Sequence, residues 1–388
     1  MTAKLPLSGI RVIDFTWVGA GPFTTKILAD FGAEVVKIES RTRPDQLRRA
    51  EPLVGKRSLE ESGYFAVRNT NKKSVSIDMK APGARELILD MARNADVMAN
   101  SFSPKAMKKF GLEYADVAAV NPRIVFLSMP MAGARGPYRD YIGYGMSIAA
   151  IIGMFGLGGA PGRVPVGTGT NFPDHLPNPL HATFAVLAAL AWRRRSGKGQ
   201  EISISQIEST MAAFPDAVLD YAANGHVAAP GEAKDGYALR GTFQCAGDDR
   251  WCAIAVKASA PLDALCELLG CANASDIGYA LAAWTRARPA EEAERLLQAA
   301  GIAAGVVARP AALVGDDAHL KARGFWQNLE HPVMGCTLYH GIAAKFSRTP
   351  TAYRTCAPLL GQHNDELPAL AGLSVEQYEA LAAQGVIK

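Results

Sequence analysis

The sequence lacks the residue patterns of metal-binding, disulfide-rich and membrane-spanning proteins. Its six cysteines contain no CxxC pair and its seven histidines are dispersed, which predicts reduced thiols and no metal site. No apolar run approaches the roughly 20 residues that cross a bilayer. The net charge of +4 is small for 388 residues, so neither nucleic acid nor a membrane is an expected partner. The cysteines are Cys245, Cys252, Cys266, Cys271, Cys336 and Cys356.

A targeting segment is also missing, because the N-terminal MTAKLPLSGIRVIDF turns directly into a strand pattern. We therefore expect a cytoplasmic protein. Hydrophobic residues make up 49% of the chain and charged residues 20%, which is typical of a globular protein and argues against extended disorder. A chain of 388 residues is too long for one small core, so two lobes are expected.

Short buried strands alternate with helices in the first third of the chain. A glycine turn at 19–22 joins the first strand to the first helix, and Gly32 ends that helix. The alternation predicts an α/β fold with a mainly parallel sheet covered on both faces. The predicted strands are 11–15, 34–39, 74–78, 96–98 and 124–128, and the predicted helices are 23–31 and 84–94.

The middle of the chain suggests where one lobe gives way to the next. Residues 143–170 are rich in glycine and predict a mobile, functional stretch. The strongest helix follows at 179–195, and its final three arginines are interpreted as a C-terminal cap rather than an anion site. The composition then shifts toward loop around 224–240, strand character returns over 243–257, and Ala-rich helices follow. This predicts a smaller lobe over 225–325.

A glycine turn between strand and helix invites comparison with the dinucleotide fingerprint. Gly19 and Gly21 supply G-x-G, and Glu39 closes the next strand. The third glycine would fall at Thr24, however, and Pro22 removes a backbone N–H that a pyrophosphate would use. We set NAD binding aside and interpret Glu39 as the end of a strand in a Rossmann-like fold.

Several long segments resemble the family III CoA-transferases, the group of formyl-CoA and carnitine CoA-transferases. They begin with PLSGIRVIDFTWVGAGPFTTKILADFGAEVVKIES and continue through RNTNKKSVSIDMK, GPYRDY and RRRSGKGQEISISQIES to APLLGQHNDELPALAGLSVEQYEALAAQGVIK. The resemblance covers essentially the whole chain in the right order. It implies a large Rossmann-like CoA-binding domain formed by 1–224 and completed by 326–388, a small inserted α/β domain at 225–325, and an interlocked homodimer.

The resemblance also implies a catalytic aspartate, which in this family carries CoA as an aspartyl thioester. The matching segment is TNFPDH, so the role falls on Asp174, just before the long helix. Unpaired N–H groups at a helix start are expected to hold such an acid ionised, as a nucleophile requires. A capping acid at a helix N-terminus is the alternative interpretation.

A CoA thioester is the expected substrate, and no permanently bound cofactor is expected. Cations must meet the phosphates of CoA, and a stacking slot must hold its adenine. A lysine or arginine taken singly is more often a solvated surface charge than a ligand contact, and Asp14 is interpreted as structural. The predicted CoA-binding residues are Val18, Gly19, Ala20, Arg41, Arg48, Asn71, Lys72, Ser101, Phe102, Lys109 and Tyr144.

The chain departs from the family pattern at several positions. Ser101 stands where asparagine is usual and Lys105 where glycine is usual, so that corner of the CoA site is altered. Gly19 replaces the glutamine of formyl-CoA transferase-like members, which predicts more room and a substrate other than oxalate or formate. The resemblance also implies a glycine-rich loop that shields the reaction intermediate. The corresponding stretch here, APGEAKDGYALR at 229–240, has only two glycines, which weakens the expectation that it has this shielding role.

Three functions remain after this comparison. The first is transfer of CoA from a donor such as succinyl-CoA to a larger organic acid. The second is acyl-CoA racemisation, which is disfavoured because the segment after GPY lacks the His-Asp pair and offers only Tyr144, a poor base at neutral pH. The third is a CoA-binding subunit paired with a homologous chain, as in a benzylsuccinate-type CoA-transferase. A homodimer is expected, and a hetero-oligomer stays open.

Overall fold

A computed structural model describes residues 4–55, 58–159, 162–228, 236–257, 261–271 and 276–388. The residues fall into two compact units, one formed by Met1–Pro230 with Gly324–Lys388 and the other by Gly231–Arg323. These bounds lie close to the domain limits expected from the sequence. The assignment of CoA binding to the larger domain stays a prediction.

The strands of the described residues are β1 (Arg11–Phe15), β2 (Glu34–Glu39), β3 (Lys72–Ser76), β4 (Val97–Asn100), β5 (Val125–Ser128), β6 (Gln200–Ser203), β7 (Tyr237–Gln244), β8 (Trp251–Lys257), β9 (Ala303–Val306), β10 (Trp326–His331) and β11 (Gly335–His340).

The helices are α1 (Ala20–Asp30), α2 (Gly63–Arg68), α3 (Ala84–Arg93), α4 (Pro104–Phe110), α5 (Tyr114–Val120), α6 (Gly145–Ile151), α7 (Met154–Leu157), α8 (Phe172–His175), α9 (Pro177–Ser196), α10 (Gln206–Met211), α11 (Pro215–Asn224), α12 (Pro261–Leu269), α13 (Ile277–Arg286), α14 (Ala290–Ala299), α15 (Pro310–Gly315), α16 (Ala318–Ala322), α17 (Leu367–Ala371) and α18 (Val375–Ala383). Short 3₁₀ turns occupy Gln46–Arg49 and Asn364–Glu366.

The larger unit is built on a six-stranded sheet in the order β3-β2-β1-β4-β5-β6, in which every neighbouring pair is parallel. This confirms the predicted α/β fold with a parallel sheet. The order reverses between β1 and β4, and in open α/β sheets the carboxyl ends of the strands at such a reversal form a ligand-binding crevice.

Alternate residues of the central strands pack into two separate cores. Ile13 and Val36 pack on one face of the sheet with side chains of α3 and α17. Val12 and Val35 pack on the other face with α1 and α9. Because successive side chains of a strand point to opposite faces, both faces of a central strand must be apolar. This requirement explains the short apolar runs of the sequence.

The C-terminal segment completes the larger unit. Ile387 bridges to Ile77 beside β3, and the antiparallel hairpin of β10 and β11 contributes Tyr339 to a core shared with Leu47 and Phe65. The smaller unit holds an antiparallel sheet in the order β7-β8-β9. Its own core includes Ile254, Leu281 and Leu297.

Two local expectations were wrong. The turn predicted at 19–22 is the beginning of α1, which starts at Ala20. Pro22 fits there because the N–H groups of the first helical turn have no partner within the helix. The N–H that proline lacks is therefore not missed. Residues 237–240, expected to be loop, begin strand β7.

Candidate active site

Asp174 lies on the short helix α8, immediately before the long helix α9. It is 5% exposed. Its Oδ2 accepts a hydrogen bond of 3.1 Å from the backbone N–H of Gly145, the first residue of α6. The carboxylate is therefore held by a donor from a neighbouring helix, and the expected donation from the start of α9 is not the contact observed.

Two glycines enclose this carboxyl group. A Cβ atom at position 19 would lie 2.5 Å from Cγ of Asp174, and one at position 145 would lie 2.8 Å from its Oδ2. Both distances are far below van der Waals contact, so only glycine fits at either position without displacing Asp174. The extra room predicted from Gly19 is a wrong inference in this respect, because the space is occupied by the Asp174 carboxyl group.

Burial raises the pKa of Asp174 to about 6, against the smaller lowering effects of the Gly145 hydrogen bond and the positive charge of Arg68. The sequence led us to expect a carboxylate kept strongly ionised by helix N–H groups. Desolvation dominates the pKa instead, because burial removes more hydration from the charged carboxylate than one backbone hydrogen bond replaces. The group is still mostly ionised at pH 7.

Asp174 lines a cavity of about 290 Å³. The cavity lies where β1 and β4 end, and the backbone N–H of Trp17 donates to Ser101 Oγ over 3.0 Å between the two strand ends. Six predicted CoA-binding residues line it together with Asp174. They are Val18, Gly19, Ala20, Ser101, Phe102 and Tyr144.

Val18 has a φ of 66°, a backbone conformation that β-branched residues rarely adopt. Its N–H donates to Oδ1 of Asp45 over 3.1 Å, and Asp45 is in turn paired with Lys37 at 2.9 Å. These contacts hold the loop between β1 and α1 in a strained form. The next residue, Gly19, lies against Asp174, and backbone strain of this kind accumulates at functional sites.

A second cavity of about 560 Å³ lies beside the first, where β1, β2 and β3 end. The two cavities share Trp17, Arg43, Phe102 and Ala106 as lining residues. The larger one has an apolar interior that includes Phe15 and Ile38. Three cationic side chains line it, namely Arg43, Lys80 and the predicted Lys109. This combination suits a flat aromatic ring with nearby phosphates.

Arg48 and Lys72 do not fit the predicted contact with CoA. The Arg48 side chain is fully buried, and Nε and Nη2 each donate to Glu39 over 2.8 Å. Lys72 Nζ is likewise buried against Asp14 at 2.9 Å. Both cations lie in internal ion pairs, which fits the interpretation of Asp14 as structural. They serve the fold rather than the surface of a cavity.

Asn71 and Arg41 also lie outside the two cavities. Asn71 has a φ of 62°, donates to Asp30 over 2.8 Å and accepts from the backbone N–H of Arg354. It therefore ties α1 to the C-terminal segment. Arg41 is exposed, and its nearest partner is the carbonyl of Leu360 at 3.5 Å.

Sequence reasoning missed Arg43 and Lys80, whose side chains line the larger cavity. It also missed Trp17 and Gln206, which line the smaller one. The segment SRTR after β2 contains both Arg41 and Arg43. It therefore indicated a cation at this strand end, but the prediction fell on Arg41. Lys80 follows β3, another strand whose carboxyl end faces the same crevice.

The glycine-rich stretch 143–170 contributes helices α6 and α7, and through Gly145 it reaches Asp174. Its mobility stays a prediction. Of the predicted shielding stretch 229–240, residues 229–235 lie outside the described residues. Across the described ranges, no group of three or more His, Cys, Asp or Glu side chains could hold a metal. In the same ranges no helix is long and apolar enough to span a membrane.

The sheet order, the crevice and the joined cavities define a Rossmann-like α/β protein with a buried carboxylate beside a nucleotide-sized slot. The sequence matches CoA-transferase family III over residues 7–364. The chain therefore belongs to the family III CoA-transferases, as the resemblance implied.

Relatives of known activity match along the full chain. The succinyl-CoA–D-citramalate CoA-transferase of Chloroflexus aurantiacus is 29% identical, covering 98% of both chains. The beta subunit of the succinyl-CoA–L-malate CoA-transferase of the same organism is 30% identical, covering 100% of this chain and 99% of its own. Among solved structures, a CaiB/BaiF family protein from Brucella suis superposes with a TM-score of 0.85 at 26% identity, covering 95% of this chain and all of that one.

Proposed function

We propose that this protein transfers CoA from an acyl-CoA donor such as succinyl-CoA to a carboxylic acid, through an aspartyl-CoA thioester on Asp174. The observation that carries the proposal is that two neighbouring cavities share part of their lining. One holds a buried carboxylate and the other is an apolar slot with three cations, and they share Trp17, Arg43, Phe102 and Ala106. A thioester whose nucleotide lies in the larger cavity would bring its sulfur end toward Asp174.

The chemistry requires two exchanges at one carboxyl group. The ionised carboxylate of Asp174 attacks the thioester carbonyl, the C–S bond breaks, and CoA leaves as the thiolate. The thiolate then attacks Cγ of the aspartyl anhydride, which releases the donor acid and forms the aspartyl-CoA thioester. The acceptor carboxylate then attacks Cγ of the aspartyl thioester, the C–S bond breaks, and a second anhydride forms. The CoA thiolate attacks the acceptor carbonyl of this anhydride, which yields the acceptor thioester and frees the Asp174 carboxylate. No proton has to move, so no general base is needed beside the nucleophile.

Gly145 has a defined part in this sequence. Its N–H already contacts Oδ2 of Asp174 at 3.1 Å. If Oδ1 is the oxygen that becomes acylated, Oδ2 remains the carbonyl oxygen of the anhydride. The same N–H then stabilises the oxyanion that forms there when the thiolate attacks. Racemisation lacks comparable support, because the residues that line the cavity of Asp174 include no histidine.

Mass spectrometry of the intermediate tests the proposal. The protein incubated with donor alone should gain the mass of CoA. Hydroxylamine should convert Asp174 to a hydroxamate, and borohydride should reduce it to homoserine. Asp174→Ala should form no adduct and still bind CoA, whereas Asp263→Ala, an exposed acid of the smaller unit, should react like the wild type. A label on another peptide, or none, would refute the assignment.

A homodimer is proposed as the working assembly. Large apolar side chains stand exposed on α9, where Leu180, Phe184 and Leu187 follow helical spacing and Phe184 is 73% exposed. Exposed apolar patches of this kind mark protein–protein contacts. The relative that is a beta subunit supports a second homologous chain as the alternative partner. Sedimentation should show a dimer that persists on dilution, and a monomer with native circular dichroism would contradict interlocking.

A further inference from the structure

Asp45 is a fully buried acid that accepts hydrogen bonds from three groups. Its Oδ1 accepts from the backbone N–H groups of Val18 at 3.1 Å and Leu47 at 3.0 Å. Its Oδ2 accepts from Nζ of Lys37 at 2.9 Å, and that lysine is also fully buried. The bond to Leu47 caps the 3₁₀ turn Gln46–Arg49 in the usual way. The bond to Val18 instead reaches the loop that follows β1.

Lys37 contacts the same loop from β2. Its Nζ donates to the carbonyl of Thr16 over 2.7 Å as well as to Asp45. Ser101, which follows β4, accepts from the backbone N–H of Trp17 over 3.0 Å. Three successive residues of the loop are thus each bonded to a side chain from elsewhere in the larger unit. In an exposed loop water would satisfy these backbone groups, so the side chains fix the path of the loop as well as pairing its polar groups.

The path of the loop is unfavourable for Val18 itself. Its φ of 66° lies in the left-handed region, where a β-branched side chain crowds the backbone. Glycine adopts this conformation readily, whereas a strained residue keeps it only when its surroundings over-determine it. The hydrogen bond from the Val18 N–H to Asp45 is the contact that holds the strained residue directly. With valine at position 18, the conformation of the loop therefore depends on Asp45.

The next residue on this path, Gly19, lies against the carboxyl group of Asp174. A Cβ atom at position 19 would lie 2.5 Å from Cγ and 2.6 Å from Oδ2, and one at position 145 would lie 2.8 Å from Oδ2. The atoms nearest to either Cβ position do not include Oδ1. The two glycines thus confine the Oδ2 side of the carboxyl group, and Oδ1 is left as the oxygen that can reach a thioester.

We propose that Asp45, with Lys37, is a positioning residue for the reaction. It holds Val18 in the strained conformation, and the backbone of Gly19 is thereby kept against Asp174. The inference rests on the proposed function of Asp174. Asp45 is among the lining residues of neither cavity described above, so it acts through the loop. Its effect is to fix one orientation of the nucleophile, in which Oδ1 faces the substrate.

Two double variants test the role of Asp45. Lys37→Met/Asp45→Asn and Lys37→Met/Asp45→Leu both replace the ion pair by neutral side chains, so neither leaves a charge of this pair buried alone. The neighbouring buried acids keep cations of their own. The asparagine variant retains a side-chain oxygen that accepts from the Val18 N–H, and the leucine variant does not. The two proteins are therefore matched except for the acceptor.

The rate of adduct formation at saturating donor should follow the acceptor. The asparagine variant should acylate Asp174 about 10- to 100-fold faster than the leucine variant, since misplacement by about 1 Å costs up to that much. Adding Val18→Gly to the leucine variant should recover part of the rate, with a larger gain than in the wild type, because glycine needs no hydrogen bond to hold a positive φ. Equal rates in the two double variants, or no recovery with glycine, would overturn the inference.

A further variant covers the case in which the leucine variant does not fold. Val18→Pro removes the same N–H and excludes a positive φ, at a partly exposed loop position where the ion pair of Lys37 and Asp45 stays intact. It should show a loss of rate similar to that of the leucine variant. A Val18→Pro protein that forms the adduct as fast as the wild type would equally overturn the inference.

The pKa of Asp174 provides a measurement without turnover. Burial raises this pKa to about 6, and Gly19 contributes to that burial. Withdrawal of the loop should hydrate the carboxylate and lower the pKa toward its ordinary value of about 4 in the leucine variant, but not in the asparagine variant. The Gly145 N–H and the charge of Arg68, which also act on Asp174, are common to both. Carbon-13 NMR of labelled aspartate carboxyl groups would follow the pKa, with the Asp174 signal assigned by its absence from Asp174→Asn.

The two measurements separate this inference from the proposed function. If donor gives no adduct on Asp174 of the wild type while the pKa of Asp174 still depends on the acceptor at position 45, the proposed function fails and the positioning role of Asp45 stands. If the wild type forms the adduct but neither its rate nor the pKa differs between the two double variants, the inference fails alone.

Discussion

The backbone N–H of Gly145 donates to Oδ2 of Asp174 over 3.1 Å, and a Cβ atom at position 145 would lie 2.8 Å from that same oxygen. One residue thus supplies a hydrogen bond to the carboxylate and, by lacking a side chain, the space in which the carboxylate lies. Glycine allows this close approach of the backbone to the carboxyl group.

Gly145→Ala is therefore expected to displace the carboxylate while the helix α6 stays formed. Turnover should fall about 100-fold, since a displacement near 1 Å can cost that much, and the Tm should change little. Steady-state kinetics with donor and acceptor would measure the loss. Gly156→Ala on α7 is the matched control, because a Cβ atom there meets nothing within 4 Å. Equal activity of the two variants would contradict the role of Gly145.

The pKa of Asp174, raised to about 6 by burial, should be visible in stability. In the folded state the proton is bound more tightly than in the unfolded chain, so ionisation destabilises the fold as pH rises through about 6. Asp174→Asn keeps an acceptor for Gly145 and removes the charge. It should stabilise the protein at pH 8 by roughly 2–3 kcal/mol, and the gain should vanish at pH 4.

Urea unfolding at both pH values would measure this difference, with intact mass confirming that the asparagine has not deamidated. Asp90→Asn is the control, because Asp90 is a half-exposed carboxylate on α3. A gain of equal size at both pH values would show that the charge is not the cause. Under the proposed mechanism only the ionised carboxylate attacks, so the rate of adduct formation should also decrease as the pH falls below about 6.

Much of the fold could be predicted because short stretches of sequence determine its strands and helices. The strands at Arg11–Phe15 and Glu34–Glu39 are short, apolar and bounded by turn residues, and the long helix α9 has a run of good helix formers. The start of α1 was misplaced because a proline within the first turn is also compatible with a helix. Local patterns determine which element forms and fix its ends less well.

The site was predicted less completely, because its chemistry depends on partners far apart in the chain. Nothing local distinguishes Arg48, buried against Glu39 and Glu60, from an arginine that faces a ligand. The choice between Arg41 and Arg43 depends on the path of one loop, in which Ser40 and Arg43 form a bridge. The resemblance predicted a catalytic role for Asp174, which stays a proposal, whereas its two glycine neighbours emerged only from the packing.

Arg43→Ala is expected to weaken binding of the CoA substrate and leave stability unchanged. Arg43 is exposed and lines both cavities, so its loss should raise KM for the acyl-CoA about tenfold at low salt. The effect should shrink as salt screens the exposed charge.

Arg48→Met is expected to leave KM for the acyl-CoA unchanged and to destabilise the protein. The free energy of unfolding should fall by about 3–5 kcal/mol, because the variant leaves Glu39 buried without its arginine partner. KM values at two salt concentrations, with urea unfolding of both variants, would separate the two arginines. A stable Arg48→Met protein with a raised KM would restore the original assignment of Arg48 to the CoA site.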